Sequence, residues 1–250
     1  MSQEYQQLTQ AARQLIAIEE LFGGEFLPAE RNPLPEIEAA PARPAASMTR
    51  DQKAAALHEI DESEVKGCTK CALSQGRHKT VFGEGDPDAR LMFVGEGPGQ
   101  DEDRTGRPFV GRAGELLTKM IAAMGLRRED VFIANVVKCR PPGNRAPAPD
   151  EAEACWSYLV RQIAIIQPEV IVTVGNPATH ALLDTTLGIT KLRGTWQTLP
   201  AIGPGVGGTA VMPTFHPAYL LRQYTPDNRR KVWADLQKVM ERLGLPMPGS

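Results

Sequence analysis

Four cysteines, a glycine-rich turn and a few polar and aromatic residues behind it carry most of the chemistry this sequence offers. Cys68 and Cys71 form a C-x2-C pair, Cys139 follows far downstream, and Cys155 stands after 15 intervening residues. Thiols from separated segments can converge on one metal centre. In a reducing compartment such a set reads as metal ligands more readily than as disulfides. The competing reading is two core cysteines beside a chance C-x2-C. Zinc ribbons generally use two C-x2-C pairs, and only one is present, whereas wide and unequal spacing suits an iron–sulfur cubane. Spacing alone therefore leans toward iron–sulfur and leaves zinc open.

The turn Gly95-Glu96-Gly97-Pro98-Gly99 comes straight off the apolar run Leu91-Met92-Phe93-Val94. Glycines there let backbone approach a ligand closely. No Gly-Lys-Ser/Thr follows and the G-x-G-x-x-G order is missing, so this is neither a phosphate loop nor a dinucleotide fingerprint. Behind it, Gln100–Gly114 packs acids, arginines and glycines around one aromatic, Phe109. A nucleobase can stack on such a ring; the alternative is an anchor for the loop. Asn135 ends a second apolar run, and its amide offers both a donor and an acceptor; it could equally be a strand-terminal turn residue. Of the four histidines, His58 and His78 flank the first cysteines and His180 lies on a helical Ala/Leu face. His216, in Phe215-His216-Pro217, falls just past the last apolar run.

The elements that must hold these residues follow from periodicity. Leu91–Val94, Val131–Val137, Val170–Val174 and Val211–Phe215 read as short buried strands. Leu116, Leu117, Met120, Ile121 and Met124 share one helical face closed by Gly125, Asp150–Ile166 forms a helix opened by Pro149-Asp150, and Arg229–Leu243 forms a closing helix. Strand–helix alternation predicts an α/β fold: a three-layer α/β/α arrangement around a central, mainly parallel four-stranded sheet. Ligands of such sheets sit at the carboxyl ends of the strands, where the loops singled out above lie. Ahead of this domain, residues 1–24 read as an amphipathic helix with Tyr5, Leu8, Ala12, Leu15, Ile18 and Phe22 on one face, ended by Gly23-Gly24. That helix either packs on the domain or meets a protein partner. Residues 25–48, rich in Pro and Ala, read as an extended linker, and residues 49–250 as the folded domain.

Bulk properties set the boundaries. An apolar content of 42% supports a real core, and no apolar run approaches the roughly 18 residues a membrane span needs. The first residues lack the basic and apolar regions of a signal peptide, so a cytoplasmic, monomeric protein is expected. The net charge of −2 conceals an asymmetry: residues 1–67 carry 12 acids and 6 bases, residues 68–250 carry 18 acids and 22 bases. The C-terminal part is mildly basic, which permits phosphate contacts without proving them.

From Cys68 to the C-terminus the sequence resembles the family 4 uracil-DNA glycosylases, the iron–sulfur group of that superfamily. The resemblance rests on five segments in order: GCTKCALSQGRHKTVFGEG, VGEGPGQDEDRTGRPFVGRAG, ANVVKCRPPGNRAPAPDEAEAC, PEVIVTVGNPATHALL and PTFHPAYLLR. It implies a uracil-DNA glycosylase fold, uracil-containing DNA as partner, and excision of free uracil to leave an abasic site. It further implies a [4Fe–4S] cluster on Cys68, Cys71, Cys139 and Cys155. Position by position it implies a uracil pocket walled by Gly95, Glu96 and Gly97, with Phe109 stacking on the flipped base. Asn135 then reads the uracil edge, and His216 acts as the electrophile at a uracil oxygen. In better-known members that resemble this loop an Asp stands where this chain has Gly97, which leaves Glu96 or Glu102 to position the water. Ala218-Tyr219-Leu220-Leu221-Arg222 offers Leu220 and Leu221 as wedges into DNA and Arg222 as a cation; the alternative is a helix start with two core leucines.

Two rival readings carry distinct signatures. A related branch that traps uracil covalently on a His carries an Arg/His-rich insertion beyond the glycine-rich loop, and Phe109–Gly114 has neither the insertion nor a His. A non-catalytic iron–sulfur module that binds nucleic acid would have no need of Asn135 and His216.

Overall fold

The computed structural model describes residues 3–22 and 48–247. The helix α1 spans Gln3–Phe22 and α2 spans Arg50–Ile60. The edge strand β1 (Glu84–Gly85) precedes β2 (Leu91–Gly95), α3 (Gln100–Thr105), α4 (Arg112–Ala123) and β3 (Phe132–Asn135). Then come α5 (Pro149–Ile166), β4 (Val170–Val174), α6 (Asn176–Leu183), α7 (Ile189–Leu192) and β5 (Gln197–Thr198). The chain closes with β6 (Ala210–Thr214), α8 (Pro217–Arg222) and α9 (Pro226–Leu243).

The strands form one sheet in the order β1-β3-β2-β4-β6-β5. Its four central strands are parallel, as periodicity predicts, and every residue in them is buried. A sheet covered on both faces requires this. The expectation of four strands is corrected to six: β1 and β5 pair antiparallel at the two edges. At two residues each, they are too short to leave a period in the sequence. Pro213 sits inside β6, a position closed to proline in a fully paired strand. It is tolerated because β5 reaches only Ala210 and Val211, leaving β6 an edge beyond them.

Alternation along the strands distributes the core to two faces. Leu91, Phe93, Ile133, Val170, Val172 and Met212 pack with α1, α4, α8 and α9. Met92, Val94, Phe132, Ala134, Ile171 and Val211 pack with α2, α5 and α6. The parallel order runs outward from β2 to β3 and then returns across β2 to β4, so a crevice opens at the carboxyl ends of these strands.

The segment Gln100–Gly114 is more ordered than its glycine content suggests. It holds all of α3 and the start of α4, with Gly106 (φ +81°) stopping α3. The second strand ends at Asn135 rather than Val137, although Val136 N and Val137 N still bond Gly95 O and Glu96 O at 2.9 and 3.1 Å.

Helix α1 lies against α4 and α9, but on a different face from the one its spacing suggests. Gln14, Ala17, Ile18 and Leu21 are the buried residues, whereas Leu8, Ala12 and Leu15 face outward. The reason is polar. Gln14 Nε2 donates to Ala123 O at 3.1 Å, and Gln10 donates to Gly125 O, so α1 caps the carbonyl end of α4. In return Arg229 Nη1 and Tyr224 Oη donate to Leu21 O at 3.1 and 3.3 Å. Side chains of Tyr5 and Phe22 and the expected linker, apart from Met48, lie outside the described residues.

This docking separates two leucines that sequence periodicity does not distinguish. Leu21→Ala removes a core contact and should destabilise the protein by about 2–4 kcal/mol. Leu15→Ala, at an exposed position, should change stability by less than about 0.5 kcal/mol. Thermal or urea melts of both variants check this; equal effects would mean α1 does not sit as described.

Candidate active site and cysteine cavity

The cysteines come from three stretches of chain. Cys68 and Cys71 follow the last turn beyond α2, Cys139 lies past β3, and Cys155 lies in the second turn of α5. All four are unpaired, and all four line one cavity together with Arg77, Val137, Lys138 and Tyr158. Lys138 N donates to Cys155 Sγ at 3.2 Å, and Arg77 bridges Cys68 O (2.7 Å) and Cys139 Sγ (3.4 Å). Burial pushes the Cys139 thiol up to about 11 and raises Cys155 as well. Binding of a metal centre to such thiols displaces their protons. Among the described residues no three His, Cys, Asp or Glu side chains close around a single ion. Four cysteine thiols lining one cavity form a donor set of the kind that holds a thiolate-bound metal centre.

A separate cleft of about 740 Å³ opens at the carboxyl ends of the parallel strands. That size falls within the range of small-ligand sites, roughly 300–1,000 Å³. Glu96 and Gly97 enter it from the loop after β2, Asn135 from the end of β3, Asn176 from the start of α6, and His216 and Arg222 from the segment after β6.

Gly95 is buried beneath two of the lining side chains, Asn135 and Phe109. A Cβ there would lie 2.5 Å from both Asn135 Oδ1 and Phe109 Cζ, so only glycine lets these side chains flank the same spot. Gly97 is tight for a similar reason, its missing Cβ falling 2.7 Å from Val137 Cγ2. Asn135 Oδ1 is buried and has no hydrogen-bond partner within the protein. A buried amide oxygen without a partner is costly, so its site favours a ligand that donates to it.

Phe109 occupies the left-handed region (φ +50°), uncommon for an aromatic residue. Three contacts hold it there. Gly114 packs so closely that its own Cβ would lie 1.9 Å from Phe109 O. Arg128 donates to Phe109 O at 2.9 Å and to Pro108 O, while its Nε pairs with Glu84 at 2.7 Å. Glu102 accepts from Val110 N at 2.8 Å and Gly111 N at 2.9 Å with one oxygen, and from Gly99 N at 3.1 Å with the other. The expectation that Glu102 positions a water is therefore corrected: its carboxylate is spent on three backbone N–H groups. Glu96 differs. It is half-buried at the cleft wall, and desolvation raises its carboxyl above the usual range.

His216 caps the N-terminus of α8 through its ring: Nδ1 accepts from Ala218 N at 3.0 Å. The backbone thereby fixes the tautomer, and Nε2 carries the proton. Desolvation, reinforced by the Arg222 charge, pushes this imidazole down to about 4, so it is neutral at pH 7. Its ring stands 5.8 Å from that of Phe109, tilted by 33°.

The expectation of Leu220 as a wedge is corrected, because it is 1% exposed and belongs to the core, whereas Leu221 is half-buried beside it. Arg222 is exposed at the cleft rim. The other histidines lie elsewhere: His58 beside Glu62, His78 on Asp103 at 2.6 Å, and His180 on Leu187 O at 2.9 Å. Two parts of the cleft lining escaped sequence reasoning. Asn176 follows the third parallel strand just as Asn135 ends the second, and its Oδ1 accepts from Ile189 N at 2.6 Å. The Pro141–Ala146 loop also lines the cleft, although its proline content resembles a plain connector.

Comparison with known proteins locates this architecture. The model of the uracil DNA glycosylase superfamily matches residues 82–237. A type-4 uracil-DNA glycosylase of Thermotoga maritima is 51% identical over 186 residues, covering 73% of this chain and 92% of that protein. One from Sulfurisphaera tokodaii is 48% identical over 193 residues, 74% of this chain and 84% of that one. A type-5 enzyme of Thermus thermophilus is 34% identical over 120 residues, 42% of this chain and 54% of that protein. The longer and closer match is to the type-4 proteins. The chain therefore belongs to the uracil-DNA glycosylase superfamily, and within it to the type-4 group.

Proposed function

We propose that this chain is a DNA repair enzyme that flips uracil out of DNA and hydrolyses its N-glycosidic bond, releasing free uracil. The observation that carries the reading is Gly95, bare between the Asn135 amide and the Phe109 ring, with a neutral His216 nearby. An extruded base slides against Phe109 and presents its polar edge to Asn135. Uracil donates at N3 and accepts at its 4-position, where cytosine donates, and an amide held in one orientation separates the two. His216 Nε2–H donates to the uracil 2-oxygen as the C1′–N1 bond breaks and the electron pair passes to the base. A neutral donor suits this charge, because an imidazolium would pass its proton to the base. Water then adds to the oxocarbenium-like sugar and loses a proton, leaving the abasic site. Glu96 holds that water and takes the proton, since Glu102 is occupied by the loop backbone. Arg222 at the rim contacts a DNA phosphate.

The four cysteines bind a [4Fe–4S] cluster. The unpaired thiols around one cavity and the N–H donor to Cys155 Sγ support this. When bound, the cluster cross-links the segment after α2, the loop after β3 and the start of α5, and takes no part in bond cleavage. Residues 49–250 form the catalytic domain, working as a monomer in the cytoplasm, and α1 is an added helix docked onto it.

The deciding assay follows free uracil released from single-stranded, U·G and U·A oligonucleotides. DNA binding without release would favour the non-catalytic module, and an SDS-stable adduct would favour the covalent branch. His216→Ala should lower single-turnover excision about a hundredfold or more, corresponding to about 3–4 kcal/mol, with duplex binding nearly intact. Gly95→Ala should lower uracil excision, because the added methyl would push against Asn135 Oδ1 and the Phe109 ring and displace them; an unchanged single-turnover rate would contradict this. The pH–rate profile should show no limb at the usual histidine value of about 6.5; one that vanished in His216→Ala would contradict the neutral electrophile. Absorbance near about 400 nm should accompany active protein, and a colourless zinc-containing preparation would remove the cluster.

A further inference from the structure

Between the cysteine cavity and the cleft stands a buried lysine that neither role above uses. Lys138 immediately precedes Cys139 and is 1% exposed. Burying an ammonium is expensive unless its protons are well placed. Its Nζ donates to Asn135 O at 2.8 Å and to Gln162 Oε1 at 2.6 Å, and Gln162 Nε2 in turn donates to Phe82 O at 2.9 Å. The acceptors are thus a backbone carbonyl and a side-chain amide rather than a carboxylate. The main chain of the same residue reaches the other site: Lys138 N donates to Cys155 Sγ, and Lys138 O accepts from Val81 N at 2.8 Å.

The bond to Asn135 O has a consequence for the amide beyond it. Asn135 Oδ1 has no hydrogen bond of its own, so nothing within the protein aims that oxygen directly. Its direction follows from its backbone, which Val136 N fixes on Gly95 O from one side. Lys138 Nζ fixes it from behind, spanning three residues. We infer that Lys138 is a positioning residue for Asn135, linking the loop that carries Cys139 to the amide that reads the base edge. A hydrophobic side chain of equal length would fill the volume but remove one of the two hydrogen bonds that hold the Asn135–Val136 peptide, leaving only the bond from Val136 N to Gly95 O. An error of about 1 Å at such a group can cost about a hundredfold in rate.

The inference rests on the reading in which Asn135 recognises uracil. The test uses full-length Lys138→Met, with iron content and visible absorbance showing that the cysteine site is loaded as in wild type. Single-turnover uracil excision should fall by about 10–100-fold while KM for uracil-containing duplex stays close to wild type. Inhibition by free uracil should weaken by a similar factor, since the same amide holds the product. A lysine that serves stability alone would lower Tm yet leave both the rate per folded molecule and the uracil inhibition unchanged; that result overturns the inference. Should Lys138→Met not fold, Gln162→Met removes one of the two acceptors and should show a smaller loss of the same pair of readouts. Wild-type behaviour in both readouts there would overturn it equally. Wild-type protein that releases no uracil would instead sink the functional reading itself.

Discussion

The cleft depends on an absence. At Gly95 the space a Cβ would occupy is already claimed by Asn135 Oδ1 and a Phe109 ring carbon, each 2.5 Å away. The Asn135 amide and the Phe109 ring can approach the same spot only because no side chain protrudes between them. This explains why the loop after β2 is glycine-rich without being a phosphate cradle. Its glycines remove side chains from a slot instead of pointing N–H groups at an anion.

Much of the neighbouring structure holds the other wall in place. A left-handed phenylalanine costs on the order of 1–3 kcal/mol and persists only where its surroundings over-determine it. Here they do. Glu102 clamps Val110 and Gly111, the two residues after Phe109, while Arg128 grips the carbonyls of Pro108 and Phe109 and Gly114 leaves room for the turn. The minor edge strand β1 acquires a purpose as well. Its Glu84 anchors Arg128 and also pairs with Arg107 at 2.8 Å, so two residues of strand secure both sides of the aromatic. A carboxylate in a glycine-rich active-site loop invites a catalytic assignment, yet three backbone N–H groups show Glu102 to be a clamp.

What the sequence disclosed follows the same physics. The four parallel strands were readable because continuous burial leaves unbroken apolar runs such as Val170–Val174. Residues placed by strand ends, Asn135 and His216, were readable because the carboxyl edge of a parallel sheet is where ligands bind. The edge strands were not, since a two-residue pairing has no period. The face of α1 was misjudged because apolar spacing favours Leu8 and Leu15, while amide bonds from Gln10 and Gln14 to the end of α4 set the rotation. Leu220 resembled a wedge only because sequence order cannot tell a rim from a core one turn beneath it. Lys138 could not be identified at all: a lysine beside a cysteine reads as surface until its Nζ is found on Asn135 O.

The neutral state of His216 ties chemistry to stability. Its Nδ1 is committed to Ala218 N, so protonation would have to break that cap and charge a ring that desolvation keeps neutral. Because the folded value lies near 4 and an unfolded histidine titrates near 6.5, the unfolded chain takes up the proton first as pH falls. The cost of this histidine is therefore negligible above about pH 7, grows between about 6.5 and 4, and is complete below that. The sign matters for the mechanism. The same desolvation that weakens the fold in acid keeps the proton on Nε2 as a hydrogen-bond donor at neutral pH. In a partly desolvated site, such a donor stabilises developing negative charge more strongly than it would in solution. In the proposed mechanism, stability in acid is given up for a donor whose orientation the Ala218 N–H already fixes.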